Sequence, residues 1–212
     1  MTAAGLQPTG AEARAAFTLA ADWFLSVLAR VPSDAWDRPG LGEWTVKELA
    51  AHTTRALTTI EQYLAAAPAE VVLSGPVAYF RAAMAIPDVH TGVAERGRRE
   101  ATSLGDDPVA AIGESAERVR ALVDATPGDT VCGSAVGGIA LDDYLATRVV
   151  ELTVHTTDLV AALGLDEQVP VPAAAVTLAI LAGLAATRPD RTSVLRALTG
   201  RIDLPPGTTL LA

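Results

Sequence analysis

Cysteine is nearly absent: Cys132 is the only one in 212 residues, so no intrachain disulfide can form and a cytoplasmic chain is expected. A lone cysteine is ordinarily a small buried hydrophobe, and no neighbouring base in the sequence marks it as a nucleophile. Aromatic residues are scarce too, at 4% of the chain, although half of all residues are hydrophobic. The excess is carried by Ala, Val and Leu, which suits close-packed helices and disfavours a β-sandwich. Basic charge is in deficit, 16 Lys and Arg against 25 Asp and Glu, for a formal net charge of -9. That balance gives no electrostatic reason to seek nucleic acid or anionic lipid. Met1 to Arg14 lack the basic start and apolar run of a secretion signal. Val169 to Thr187 carries no charge, but Pro170 and Pro172 leave about 15 residues for a helix, short of the roughly 20 a membrane span needs. A buried core helix is expected there. The length fits one domain, and no repeat, low-complexity block or linker divides residues 1–212.

Helical periodicity dominates what is present. A first helix is expected from about Ala11 to Arg30, with Phe17, Ala20, Phe24, Val27 and Val31 on one face. Pro32, Pro39, Gly40 and Gly42 break the chain into a loop that carries Trp36. Thr45-Val46-Lys47-Glu48 reads as a capping box that opens a second helix, with Val46, Leu49, Thr53, Leu57, Ile60 and Leu64 as its stripe. Val71 to Pro87 reads as one irregular helix, and a basic helical piece follows from about Thr91 to Leu104. Asp106-Asp107-Pro108 starts the third long helix, with Val109, Ile112, Ala116, Val119 and Val123 inward. Thr126 to Ala140 reads as a loop with a short hairpin. The fourth long helix begins near Leu141, where Asp142 and Asp143 complement the helix dipole, and Gly164 ends it. A Pro-flanked helix from about Ala173, a short one started by Asp190 and a non-helical tail from Arg201 complete the chain.

Only three histidines occur. On the fourth long helix Glu151 and His155 are four apart, hence one turn apart on one face, at the flank of the apolar stripe. His52 flanks the stripe of the second helix in the same way. Packing these flanks together brings two imidazoles and one carboxylate into the bundle, as in helical-bundle ligand sites generally. Three protein ligands would leave a coordination position for water or substrate, the pattern of a catalytic metal. The plainer reading makes Glu151 an exposed partner of Arg148 and each histidine a satisfied core residue. Spacing alone leaves both open.

Arg148 lies on the line of Glu151 and His155, and is a candidate anchor for an anionic substrate or an ion-pair partner of Glu151 or Asp158. Asp158, three residues after His155, is either an acceptor for that imidazole or a solvated carboxylate. His90, between Pro87 and Gly92, reads as a loop histidine. Arg96, Arg98 and Arg99 read as a solvated face, with an anion-holding role as the alternative. Trp44 is expected to pack at the bundle end.

Two segments carry a family resemblance. Gly42-Glu43-Trp44-Thr45-Val46-Lys47-Glu48-Leu49-Ala50-Ala51-His52 resembles the tryptophan-to-histidine motif that opens the second helix of DinB-like proteins. Val149-Val150-Glu151-Leu152-Thr153-Val154-His155-Thr156-Thr157-Asp158-Leu159 resembles the later motif of their actinobacterial branch, the mycothiol-dependent maleylpyruvate isomerase family. Leu195-Arg196-Ala197-Leu198-Thr199-Gly200-Arg201 is similar to that family as well.

The resemblance implies an all-α, DinB-like four-helix bundle with a long crossover connection and additional C-terminal helices. It implies a divalent metal, usually zinc, on His52, Glu151 and His155, and mycothiol as thiol cosubstrate beside an electrophilic or unsaturated acid. Isomerases of this type carry an appended C-terminal domain with a functional arginine; here only 47 residues follow Leu165, and Arg201 is the candidate by its place. Four functional readings stand at this point: a thiol-dependent isomerase, a thiol S-transferase, a non-haem iron oxygenase, and a non-catalytic metal-binding or sensing bundle. Neither nucleic acid nor membrane is expected as a partner, and a homodimer is allowed by the sequence without being required.

Overall fold

The computed structural model describes residues 7–66, 68, 70–86, 93–204 and 208–211, and for 93–96 the backbone alone. His90 lies outside the described residues, as does the side chain of Arg96. Four long helices make the bundle: α1 (Gly10–Leu28), α2 (Val46–Ala65), α5 (Pro108–Ala125) and α6 (Leu141–Ala162). Between them come α3 (Pro76–Met84) and α4 (Val93–Ser103), and after them α7 (Val171–Thr187) and α8 (Arg191–Leu198). Among the described residues two short antiparallel hairpins complete the set, β1 (Pro39–Leu41) with β2 (Trp44–Thr45), and β3 (Val131–Cys132) with β4 (Ile139–Ala140).

Side-chain contacts give the helix directions. Arg14, in the first turns of α1, reaches Asp142 at the start of α6 and the Val123 and Thr126 carbonyls at the end of α5. Helices α1 and α6 therefore run parallel, with α5 opposed to both. Glu61 of α2 faces Arg118 of α5, and Thr54 and Thr58 share a cleft with Ala111 and Ser115, so α2 and α5 also run parallel. Two successive bundle helices with the same direction need a connection that returns along the bundle. Residues 66–107 supply it, and α3 and α4 are built from that crossover. The long crossover connection expected of the bundle thus lies between its second and third long helices.

The core follows the apolar stripes. Phe17, Phe24, Val27, Leu49, Leu57, Ile60, Ile112, Val119, Leu145, Val149 and Leu152 are all buried. Two helices begin on complete capping boxes, Thr9 with Glu12 on α1 and Thr45 with Glu48 on α2, each satisfying two amides that the first turn leaves over. The second box fixes the start of the helix that carries His52.

Three expectations change in detail. The loop after α1 contains the β1–β2 hairpin, in which Gly42 and Glu43 turn the chain between the paired residues Leu41 and Trp44. Gly42 adopts φ +57°, the left-handed conformation that glycine supplies in such turns. Among the described residues of this segment, 71–86, only Pro76–Met84 is helical; Val72 and Leu73 instead donate to the Gly138 carbonyl beside β4. A Cβ on Gly138 would stand 2.1 Å from the Glu70 carbonyl oxygen, so this close approach requires glycine. The helix expected from Ala173 starts at Val171, with Pro172 in its first turn, where a missing amide costs nothing. No helix among the described residues is long and apolar enough to cross a membrane.

Candidate metal centre

Helices α2 and α6 pack in opposite directions, so His52, early in α2, meets the later part of α6. The His52 and His155 rings stand edge to face with centroids 4.8 Å apart. His155 Nε2 lies 3.5 Å from Glu151 Oε2, and one ligand atom from each of His52, Glu151 and His155 lies within 4.8 Å of the others. Tetrahedral ligation at about 2.1 Å separates ligand atoms by about 3.4 Å. The Glu151–His155 pair already has that spacing, and His52 needs to close by up to about 1.4 Å, within the reach of a χ rotation. The donor set of two imidazoles and one carboxylate is that of open divalent sites.

The surroundings fix the orientation of both rings. Asp158 Oδ2 lies 3.3 Å from His155 Nδ1, so a proton on Nδ1 is held there and Nε2 faces Glu151. This is the carboxylate–imidazole arrangement that sets the tautomer of metal-ligating histidines. Trp44, presented by β2, stacks on His52 at 4.5 Å with a 39° tilt. Helix α4 closes over the indole: a Cβ on Gly97 would lie 3.1 Å from Trp44 Nε1. Arg98 lies 3.7 Å from both Glu43 in the β1–β2 turn and Glu48 at the start of α2, linking α4 to each, and Arg55 pairs with Glu100.

Charge and burial reinforce the grouping. Burial alone would raise the Glu151 carboxyl, but the hydrogen bond with His155 and the charges of Arg148, His155 and His52 outweigh it and hold it at about 2. Burial alone would lower His155, but hydrogen bonds to Asp158 and Glu151 push it up to about 9. Without metal, a proton on His155 supplies the positive charge between the two carboxylates. A divalent ion would replace that proton with a stronger cation. Asp158→Asn should therefore weaken metal binding about 10- to 100-fold with the fold intact, measured by competition with a chelating dye. Unaltered affinity would reduce Asp158 to a solvated carboxylate.

The sequence-derived candidates divide clearly. His52, Glu151 and His155 come together, with Asp158 behind His155. Arg148 is buried one turn away and, among the described residues, pairs with neither Glu151 nor Asp158. Arg98 and Arg99 are exposed, in keeping with a solvated face. Arg201 lies beyond α8, exposed, and donates to the Thr199 carbonyl rather than approaching the triad. Tyr79 of α3, which accepts a hydrogen bond from Arg148, was missed because it lies in the crossover segment without clear periodicity.

The profile of the mycothiol maleylpyruvate isomerase N-terminal domain matches residues 7–160, a stretch that contains every residue of this cluster. No curated protein and no solved structure matches the chain.

Proposed function

The chain belongs to the mycothiol maleylpyruvate isomerase N-terminal domain family, and on that premise we propose that it is a metal-dependent enzyme using mycothiol as its thiol cosubstrate. The observation that carries this reading is the convergence of His52, Glu151 and His155 from two helices, with Asp158 orienting His155. Zinc is the ion that best suits two imidazoles and one carboxylate at a site with room for another ligand. When bound, such an ion lowers the pKa of a thiol or polarises a carbonyl.

The protein's own residues do the rest. Asp158 keeps the Nδ1 proton of His155, Glu151 supplies the anionic donor, and Trp44 with α4 shields one side of the cluster from water. Cys132 cannot supply the thiol: it is fully buried, and burial, against the opposing charge of Arg148, pushes it up to about 12. A reactive thiol would therefore come from outside the chain.

In an isomerase, the thiolate adds to the activated double bond of a cis-enedioic keto acid. The bond, now single in the resulting enolate, rotates, and the enolate electron pair expels the thiolate to return the trans acid. In an S-transferase the thioether itself is the product. Zinc-loaded protein should convert such an acid, or form a mycothiol thioether with an unsaturated acid, only when mycothiol is present. Product analysis by mass spectrometry reads both outcomes. A protein that retains zinc but gives neither product would be a non-catalytic metal-binding bundle, and the enzyme reading would fall.

A further inference from the structure

Arg148 is a buried cation with no carboxylate partner among the described residues. It is 7% exposed. Its Nε donates to Thr147 Oγ1 at 3.1 Å and one Nη2 hydrogen goes to Tyr79 Oη at 3.2 Å. The Tyr144 and Tyr79 rings lie 4.6 and 5.6 Å from its Cζ. Nη1 makes no hydrogen bond to a described residue. Neutral hydroxyls and ring faces compensate a buried guanidinium only in part, and an unpaired charge of this kind is costly to keep. The Glu151 carboxylate, one turn on, attracts Arg148 without pairing with it and is directed at the imidazoles.

Tyr79 has a matching surplus. Its oxygen accepts from Arg148, but its own proton goes to no acceptor among the described residues. Burial raises the phenol, against the opposing charge of Arg148, so the O–H is retained at neutral pH. Nη1 and the Tyr79 hydroxyl therefore hold unspent donors within one small region. The Tyr144 hydroxyl is not available in this way, because it donates to Thr59 Oγ1 at 2.9 Å.

We propose that Arg148 and Tyr79 form the subsite for the carboxylate of the acid substrate, one helical turn from the metal ligands. A carboxylate presents two oxygens in a plane, the shape a guanidinium fork matches, and a neighbouring phenol supplies a further donor. Arg148 and Glu151 are three apart on α6, so their Cβ atoms lie about 5–6 Å apart. A small acid can thus be gripped at its carboxylate while its reactive carbons stand beside the metal ligands. In a chain of net charge -9 the overall field repels an anion, and a local cation has to offset it. The catalytic use of this subsite rests on the metal-dependent reading above, whereas the anion site itself does not.

The test uses maleate as probe, titrated calorimetrically into zinc-loaded wild-type protein, Tyr79→Phe and Arg148→Lys, with dimethyl maleate as the uncharged control. Zinc content and melting temperature are measured for each. Tyr79→Phe should weaken maleate about tenfold and Arg148→Lys by at least as much, because lysine lacks the fork. Zinc content and the response to the diester should not change. Equal maleate affinity in wild-type protein and Tyr79→Phe, or no maleate binding by wild-type protein, overturns the subsite. If Arg148→Lys fails to fold, Tyr79→Phe decides alone, since its ring still packs on Phe80 and Tyr144. If wild-type protein retains no zinc, the metal reading falls, and the same titration on metal-free protein still decides the subsite.

Discussion

His155→Ala should lose its divalent ion almost completely, with affinity falling by more than about a hundredfold, beyond the 10- to 100-fold typical of a residue behind a ligand. The substitution removes one of three donors and also leaves Asp158 with no imidazole to hold. His52→Ala should act as strongly, because the remaining Glu151 and His155 both come from α6 and cannot surround an ion alone. Glu151→Gln should weaken binding less, since the amide keeps a donor oxygen and nearly the same shape but loses the charge. Metal content after dialysis reads these losses directly.

Stability gives a second measure. An ion that binds only the folded chain adds about 4 kcal/mol when present at a thousand times its dissociation constant. A chelator should therefore lower the melting temperature of the wild-type protein and leave that of His155→Ala unmoved. Full metal content in all three variants would dismiss the triad and return both histidines to the role of ordinary core residues.

How far such a site can be read in advance depends on what encodes each part. The bundle was legible because its helices carry their own punctuation. Thr45 and Glu48 mark the start of α2, Asp107 and Pro108 that of α5, and Gly164 lies just beyond the end of α6. The stripe on each helix then dictates which residues face inward. His52, Glu151 and His155 could be placed on stripe flanks by periodicity alone. Their convergence depends on the register between α2 and α6, which no local pattern encodes, and the family motifs supplied that step.

The β1–β2 hairpin was missed for a different reason. A three-residue strand beside a two-residue one is too short to show alternation. Its signal was the Gly42-Glu43 turn, and its importance is that it presents Trp44 to His52. Tyr79 was missed because α3 owes its position to packing on α6 and α7 rather than to a strong stripe of its own. Arg148 was placed on the correct helical line, but its partners come from tertiary contacts. Two tyrosines stand where a carboxylate was one of the expectations.

Metal affinity should rise about tenfold per pH unit between about pH 6.5 and 8.5 and flatten above the His155 value. Without metal, His155 sits at about 9, so at neutral pH a proton occupies the nitrogen that an ion needs. Each ion bound near pH 7 should therefore release about one proton, readable by calorimetry in buffers of different ionisation enthalpy. The metal-free fold has the opposite dependence. A histidine raised from 6.5 to about 9 contributes stability that is full below 6.5 and is lost as pH rises through 9. Glu151, lowered from 4.5 to about 2, contributes stability that is full above 4.5 and is lost as pH falls through 2. Between pH 6.5 and 9 the chelated protein should thus lose stability while the zinc-loaded protein, whose tighter ion binding offsets that loss, holds steady, so their melting curves diverge as pH rises. Asp158→Asn removes the largest contact that holds the His155 proton, so it should shift this divergence to lower pH. Parallel melting-temperature profiles for chelated and zinc-loaded protein across that window would mean that His155 does not exchange its proton for the ion, and the assignment of His155 as a ligand would not survive.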